Sequence, residues 1–202
     1  MKKYLGLILI SALILSACGK KTTTTIVPTP TPRLVELATE DRPQISLTSR
    51  NDGHELTLKL ASISSSITKI EYELTYVAVD NNLEIEKGAS GIIESKDIVS
   101  GNAERKILLG TESCTSGCKY KYDAGITGGN LNLTFTTSNS QISVFNSPFI
   151  LKTTADIKKT GKLVWTEENF TYTPTKLSGS NFYIAHKDYK NGGYMVTSSG
   201  SL

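Results

Sequence analysis

The chain has 202 residues, with 22 Lys+Arg against 19 Asp+Glu, two histidines and a formal charge of +3. Binding to nucleic acid rests on clustered Lys and Arg neutralising phosphates, and a balance this even gives no basis for it, so nucleic acid is excluded as a partner. No nucleophile elbow, phosphate loop, HExxH or dinucleotide fingerprint occurs either, which removes the common catalytic classes.

Taken in order, Lys2 and Lys3 stand before an apolar run from Tyr4 to Leu15, broken only by Gly6 and Ser11. A charged n-region and an apolar h-region of about 12 residues fit a signal peptide and fall short of the ~20 residues that a membrane span needs. The run ends in Leu15-Ser16-Ala17-Cys18. Residue for residue, this stretch resembles the lipobox of bacterial lipoproteins. The resemblance implies that the Cys18 thiol takes up diacylglycerol, that cleavage falls between Ala17 and Cys18, and that the mature chain begins at Cys18. A thiolate is the nucleophile that forms a stable thioether. Each buried CH₂ contributes ~0.8 kcal/mol, and one acyl chain binds only marginally, so a two-chain modification gives lasting attachment. An ordinary signal peptidase site after Ser16-Ala17 is the alternative. Gly19 is not the aspartate that similar lipoproteins use for inner-membrane retention, so in a two-membrane host the outer membrane is favoured. The expected location is therefore a cell membrane or outer membrane, lipid-anchored and facing the periplasm or exterior. Removing residues 1–17 takes away Lys2 and Lys3 and no acid, leaving 22 − 2 = 20 basic residues against 19 acidic ones, close to neutral.

Residues 18–40 read as a tether. Thr22–Thr25 and the alternation Pro28-Thr29-Pro30-Thr31-Pro32 favour extended polyproline conformation and offer little apolar surface to bury. From about Pro43 the hydrophobic period becomes two, and a β-domain is expected over 41–155. Leu56, Leu58 and Leu60 share one face of a strand in 54–61. Ile70, Tyr72, Leu74, Tyr76 and Ala78 do the same in 67–79, before turn chemistry at Asp80-Asn81-Asn82. Residues 83–86 and 91–94 predict one or two short strands, and 106–109 another. With Cys18 used for lipid, Cys114 and Cys118 remain as a pair around Thr115-Ser116-Gly117, and outside the cytoplasm a disulfide is the expected state. A metal site built on that pair lacks nearby ligands. Strands follow at 119–122 and 130–137, then at 142–145 and 149–151 around Pro148, which restricts that strand to an edge or a break.

Seven or so short strands between turn signals predict an all-β antiparallel sandwich that resembles immunoglobulin-like and fibronectin-like domains in architecture alone. The cysteine spacing and the lack of a tryptophan in this region depart from the antibody pattern, and no helix is signalled. Residues 156–202 predict a small β-rich extension that either packs on the sandwich or forms a satellite sheet. It holds Trp165, Phe170, Tyr172, Phe182, Tyr183, Tyr189 and Tyr194, about half of the chain's aromatics. Trp165, Phe170, Tyr172, Tyr183, Tyr189 and Tyr194 are candidate binding residues, since Tyr and Trp give large contact area with a polar handle; the competing reading is that they form a small module's core. His54 and His186 lack catalytic partners, and Asp80, Asn81, Asn82 and Glu84 fit a turn better than a cation loop. No cofactor and no metal are expected. The sequence thus predicts a non-enzymatic, lipid-anchored envelope protein that displays a sandwich for binding or structure. A carbohydrate- or solute-binding lipoprotein using the C-terminal aromatics is the alternative, and protein or glycan of the envelope the expected partner.

Overall fold

The computed structural model describes residues 33–177 and 179–200; the expected signal peptide, Cys18 and the tether as far as residue 32 lie outside the described residues. In chain order the elements are β1 (Arg33–Leu34), β2 (Gln44–Ser49), β3 (Glu55–Ala61), β4 (Ile67–Asp80), β5 (Leu83–Glu94), β6 (Ala103–Leu108), β7 (Gly110–Cys114), β8 (Cys118–Tyr122), β9 (Gly128–Thr137), β10 (Gln141–Thr153), α1 (Thr154–Thr160), β11 (Leu163–Trp165), β12 (Phe170–Tyr172), β13 (Phe182–Lys187) and β14 (Tyr194–Ser198). They build a sheet in the order β14-β13-β10-β9-β4-β5, with β1 added beside β10, and a second sheet in the order β2-β3-β6. The hairpins β7-β8 and β11-β12 stand as two-stranded sheets of their own. The fold is an all-β, sandwich-like one.

Alternation is what puts the core where it is. Ile70, Leu74, Tyr76 and Ala78 of β4 are buried with Leu131, Leu133 and Phe135 of β9 and Phe149 and Leu151 of β10, and all of them meet Ile45, Leu47, Leu56, Leu58, Leu60 and Ile107 of the smaller sheet. At the β4-β5 turn, Asn81 and Asn82 take φ of 51° and 64°, the left-handed pair that a two-residue hairpin loop requires. β5 then runs as one strand of 12 residues instead of two short ones, because it pairs with β4 without interruption from Asp80↔Leu83 to Lys69↔Glu94.

Three expectations are corrected. The tether ends earlier than residue 40: Arg33 and Leu34 pair in parallel with β10, the Val35 N–H donates to Ile142 O at 2.8 Å, and Leu37 is buried. A helix is present as well. Thr153 caps α1 by accepting from the Asp156 N–H at 3.2 Å, the Asp156 carboxylate accepts from the Thr153 N–H, and Gly161 closes the other end at φ 73°. Lastly, Pro148 lies within the continuous β10. Its nitrogen faces the edge that β1 and β13 share, in the gap between them, so no β9 ladder bond is lost. Beyond that point the Lys187 N–H donates to Ser147 Oγ at 2.9 Å, and Lys187 O takes the hydrogen bond of His186 Nδ1 at 2.8 Å.

The chain after residue 156 returns to the large sheet. β13 pairs with β10 from Thr153↔Phe182 to Phe149↔His186, and β14 pairs with β13. On the sheet's outer face, Tyr183 and Ala185 join Ile157, Leu163 and Trp165 in a second core beneath α1 and the β11-β12 hairpin. Among the described residues no helix is long and apolar enough to cross a membrane.

His186 is fully buried, its Nε2 has no partner among the described residues, and burial pushes its pKa below the ordinary 6.5. Above pH 6.5 both folded and unfolded states hold it neutral. As the pH falls below 6.5 the unfolded chain binds the proton first, so stability is lost at up to ~1.4 kcal/mol per pH unit until the folded-state pKa is reached. Urea melts between pH 7 and 5 check this: a fall that disappears in His186→Leu is expected, and a flat wild-type profile would refute it. The carboxylates held low in this fold, such as Asp188 and Asp156, titrate further down.

Candidate functional site

The β7-β8 hairpin grows from the end of the smaller sheet at a fixed root. Leu109 N–H donates to His54 O at 2.9 Å, Asp123 N–H to Leu109 O at 3.0 Å, and Val79 N–H to Ala124 O at 2.8 Å. Between them, Tyr76 Oη donates to Asp123 Oδ2 at 2.8 Å and Lys87 Nζ pairs with the other carboxylate oxygen, although the Asp123 side chain is only 4% exposed. Burial and the Asp123 hydrogen bond hold the Tyr76 phenol well above its usual range. Gly110 is needed where the chain leaves the root, since a Cβ there would lie 2.3 Å from Lys121 O at φ 155°.

Beyond the root, every residue of the two strands except Gly110 is exposed. Cys114 and Cys118 are opposite one another at the tip, their sulfurs 2.15 Å apart and at disulfide distance. This short clasp holds the two strands in register. Alternation places Tyr120 and Tyr122 on one face with Glu112, and Lys119 and Lys121 on the other. The two rings lie 6.0 Å apart with planes 8° from parallel, and the His54 imidazole stacks on Tyr122 at 4.1 Å and 7°.

The turn from β2 to β3 places His54. Arg50 Nε donates to Asp52 Oδ1 at 2.8 Å and the His54 N–H to the same oxygen at 3.0 Å. The Arg50 hydrogen bond, opposed by some burial, holds the Asp52 carboxyl down at about 2. The Arg50 guanidinium also sits 5.9 Å from the Tyr122 ring centre, a cation over its face. Tyr120, at 50% exposed, and Tyr122, at 40%, are the two exposed aromatic residues among those described. The result is a rigid row of three rings, bordered by one cation and one carboxylate. It can present hydroxyl-bearing ring edges, together with the ring faces left uncovered by the stack, to a sugar ring or a protein side chain.

The C-terminal aromatics occupy other places. Trp165 and Tyr183 are buried in the outer core, where Trp165 meets Tyr194 edge-on at 5.6 Å. Tyr194 also packs on Phe170 and donates to Glu168 Oε2 at 2.8 Å; Tyr172 is half-buried beside them. Tyr189 belongs to the main core, 5.5 Å from Phe135 and 4.6 Å from Phe145, with Ser143 Oγ 3.2 Å from its hydroxyl. The six candidates therefore form no common face. Beside Trp165 there is instead a groove of about 520 Å³, whose walls include Thr75, Asn130, Lys152, Val164, Thr166 and Glu167.

Sequence reasoning passed over Tyr120, Tyr122 and His54 as a set. The Tyr-Lys-Tyr alternation beside a cysteine pair was the available signal, and His54 joins only through the fold. No known protein family matches the chain, and a search of curated proteins found no relative.

Proposed function

We propose that the chain is a bacterial lipoprotein, held to a membrane through lipid on Cys18, that displays a β-sandwich for binding at the cell envelope and catalyses nothing. The membrane part of this reading rests on Leu15 to Cys18. The binding part rests on one observation, the stacked and exposed rings of Tyr120, Tyr122 and His54 on a hairpin clasped by Cys114 and Cys118. Exposed tyrosines cost solubility, and a fixed pair loses little conformational entropy when it binds. In this reading the disulfide forms in an oxidising compartment and fixes the hairpin in its binding shape. The groove beside Trp165 favours a second reading, a carbohydrate- or solute-binding lipoprotein in which the ligand lies on the sheet's outer face.

Two measurements test the proposal. Labelled palmitate should enter the wild-type chain and not Cys18→Ser, and the variant should leave the membrane fraction. Equal retention of the two would sink the anchored reading. For binding, peptidoglycan and envelope glycans or proteins are captured on the wild type, on Tyr120→Ala/Tyr122→Ala and on Val164→Arg, whose side chain would block the groove. A loss of at least roughly tenfold in the tyrosine variant, ~1.4 kcal/mol, is expected. Loss in Val164→Arg alone moves the site to the groove, and capture of nothing by the wild type rejects both.

A further inference from the structure

Among the described residues β5 is a free sheet edge. Of its neighbours only β4 is hydrogen-bonded to it, and β4 takes the odd-numbered residues: Asp80↔Leu83 closes the two-residue turn, so Leu83, Ile85, Lys87, Ala89 and Gly91 exchange their backbone bonds with β4. The N–H and C=O groups of Glu84, Glu86, Gly88 and Ser90 therefore point outward, and all four residues are exposed. At the next outward position the edge is closed. Arg105 Nη2 donates to Ile92 O at 3.4 Å and is itself held by Asp97 at 2.8 Å. Sheet edges are ordinarily blunted by proline, by a bulge, by charged side chains or by a covering element; from Glu84 to Ser90 the charges of Glu84, Glu86 and Lys87 are the one such device, and among the described residues no proline, bulge or covering element is present.

We propose that two copies of this chain join through β5, antiparallel, about a two-fold axis at Gly88. In that register Gly88 faces Gly88, Glu86 faces Ser90 and Glu84 faces Ile92 of the second copy. Three observations select this arrangement. The outward-facing groups meet as hydrogen-bonded pairs, Glu86 with Ser90, Gly88 with Gly88 and Ser90 with Glu86, so the edge satisfies itself. The residue at the axis has no side chain, which leaves room for close approach. Charge is complementary at the ends, where the Glu84 carboxylate comes opposite Ile92 and the Arg105 guanidinium that caps the strand; the two Glu86 side chains are kept apart by the glycines, and the two Lys87 side chains, which come diagonally together, are each already paired with Asp123 of their own copy. The exposed Ile85, 39% open to solvent, then faces Gly91 of the second copy, over which the Tyr72 ring lies. A register one step shorter, with Glu86 facing Gly88, brings the glutamates diagonally together and leaves Glu84 away from Arg105. The dimer joins the two large sheets into one continuous sheet, an isologous contact that closes on itself.

The test uses the full chain. Glu86→Cys and Ser90→Cys proteins, mixed under mild oxidation, should crosslink to each other. Neither alone should crosslink to itself, since only the 86–90 pair is directly opposed, within disulfide reach. Sedimentation velocity should show a dimer. Glu84→Arg should weaken it roughly three- to tenfold, and Glu84→Arg/Arg105→Glu should restore it. Ser90→Pro removes one outward N–H without touching the β4 ladder, and should give a folded monomer by sedimentation and circular dichroism. A wild-type chain that stays monomeric, or crosslinking that ignores position, overturns the proposal, including the case in which the edge captures a strand from another protein instead.

Discussion

Trp165→Ala is expected to lower stability by about 3–5 kcal/mol, the range for deleting a large buried aromatic side chain. The indole is 3% exposed and closes the outer core formed with Ile157, Leu163, Tyr183 and Ala185. Ile157, Leu163, Tyr183 and Ala185 would lose the ring they pack around, and β11 and β12, at three residues each, offer little else to fill the space. The polar ties Tyr194 to Glu168 and Lys187 to Glu168 would remain, the latter at 3.2 Å and partly exposed, worth ~1 kcal/mol at most. Urea unfolding followed by far-ultraviolet circular dichroism gives the number. A loss below ~1 kcal/mol would show that the ring is not packed as described. It follows that Trp165→Ala is a poor control for binding, because it reports on folding first, and Val164→Arg or the tyrosine variants are the informative ones.

Asp123→Ala is expected to cost about 2–3 kcal/mol and to weaken ligand capture together with stability. Two donors converge on this carboxylate, the Tyr76 hydroxyl from inside the sandwich and the Lys87 ammonium from β5. Removing the acceptor leaves both unanswered. A full buried-pair loss would be larger, but the Lys87 side chain is 28% exposed and regains some water. Asp123→Asn keeps one acceptor for Tyr76 and should recover part of the loss. The backbone bonds from Leu109 and Val79 persist in both variants, so the hairpin stays attached while its root loosens. A variant with wild-type stability would remove Asp123 from the account of how the hairpin is held.

Much of the sheet was legible because a half-buried strand declares itself by period two. Ile70, Leu74, Tyr76 and Ala78 went inward as their spacing required, and Asn81-Asn82 took the turn that their tolerance of positive φ allows. The helix was not read from the sequence: seven residues are too few to produce a helical period that competes with strands, and its only local mark was the cap pair Thr153 and Asp156 with Gly161 after it. The position of Pro148 depended on which edge of β10 its nitrogen faces, and that is fixed by β1, β9 and β13, not by the neighbouring sequence. The candidate site was barely readable. Aromatic content drew attention to the C-terminal stretch, yet content does not distinguish a ring in a core from a ring on a surface.

What the sequence determined by itself is local: the lipobox resemblance at Leu15 to Cys18, the strand faces and turns, and the closeness of Cys114 to Cys118, all set by residues a few positions apart. Only the tertiary structure decided that Trp165, Tyr183 and Tyr189 are buried, that His54 stacks on a tyrosine 68 positions later in the chain, and that β5 ends the sheet with its edge open. The physical reason is that burial and stacking depend on which faces meet across the fold, and alternation along one strand says which side is apolar without saying what will cover it.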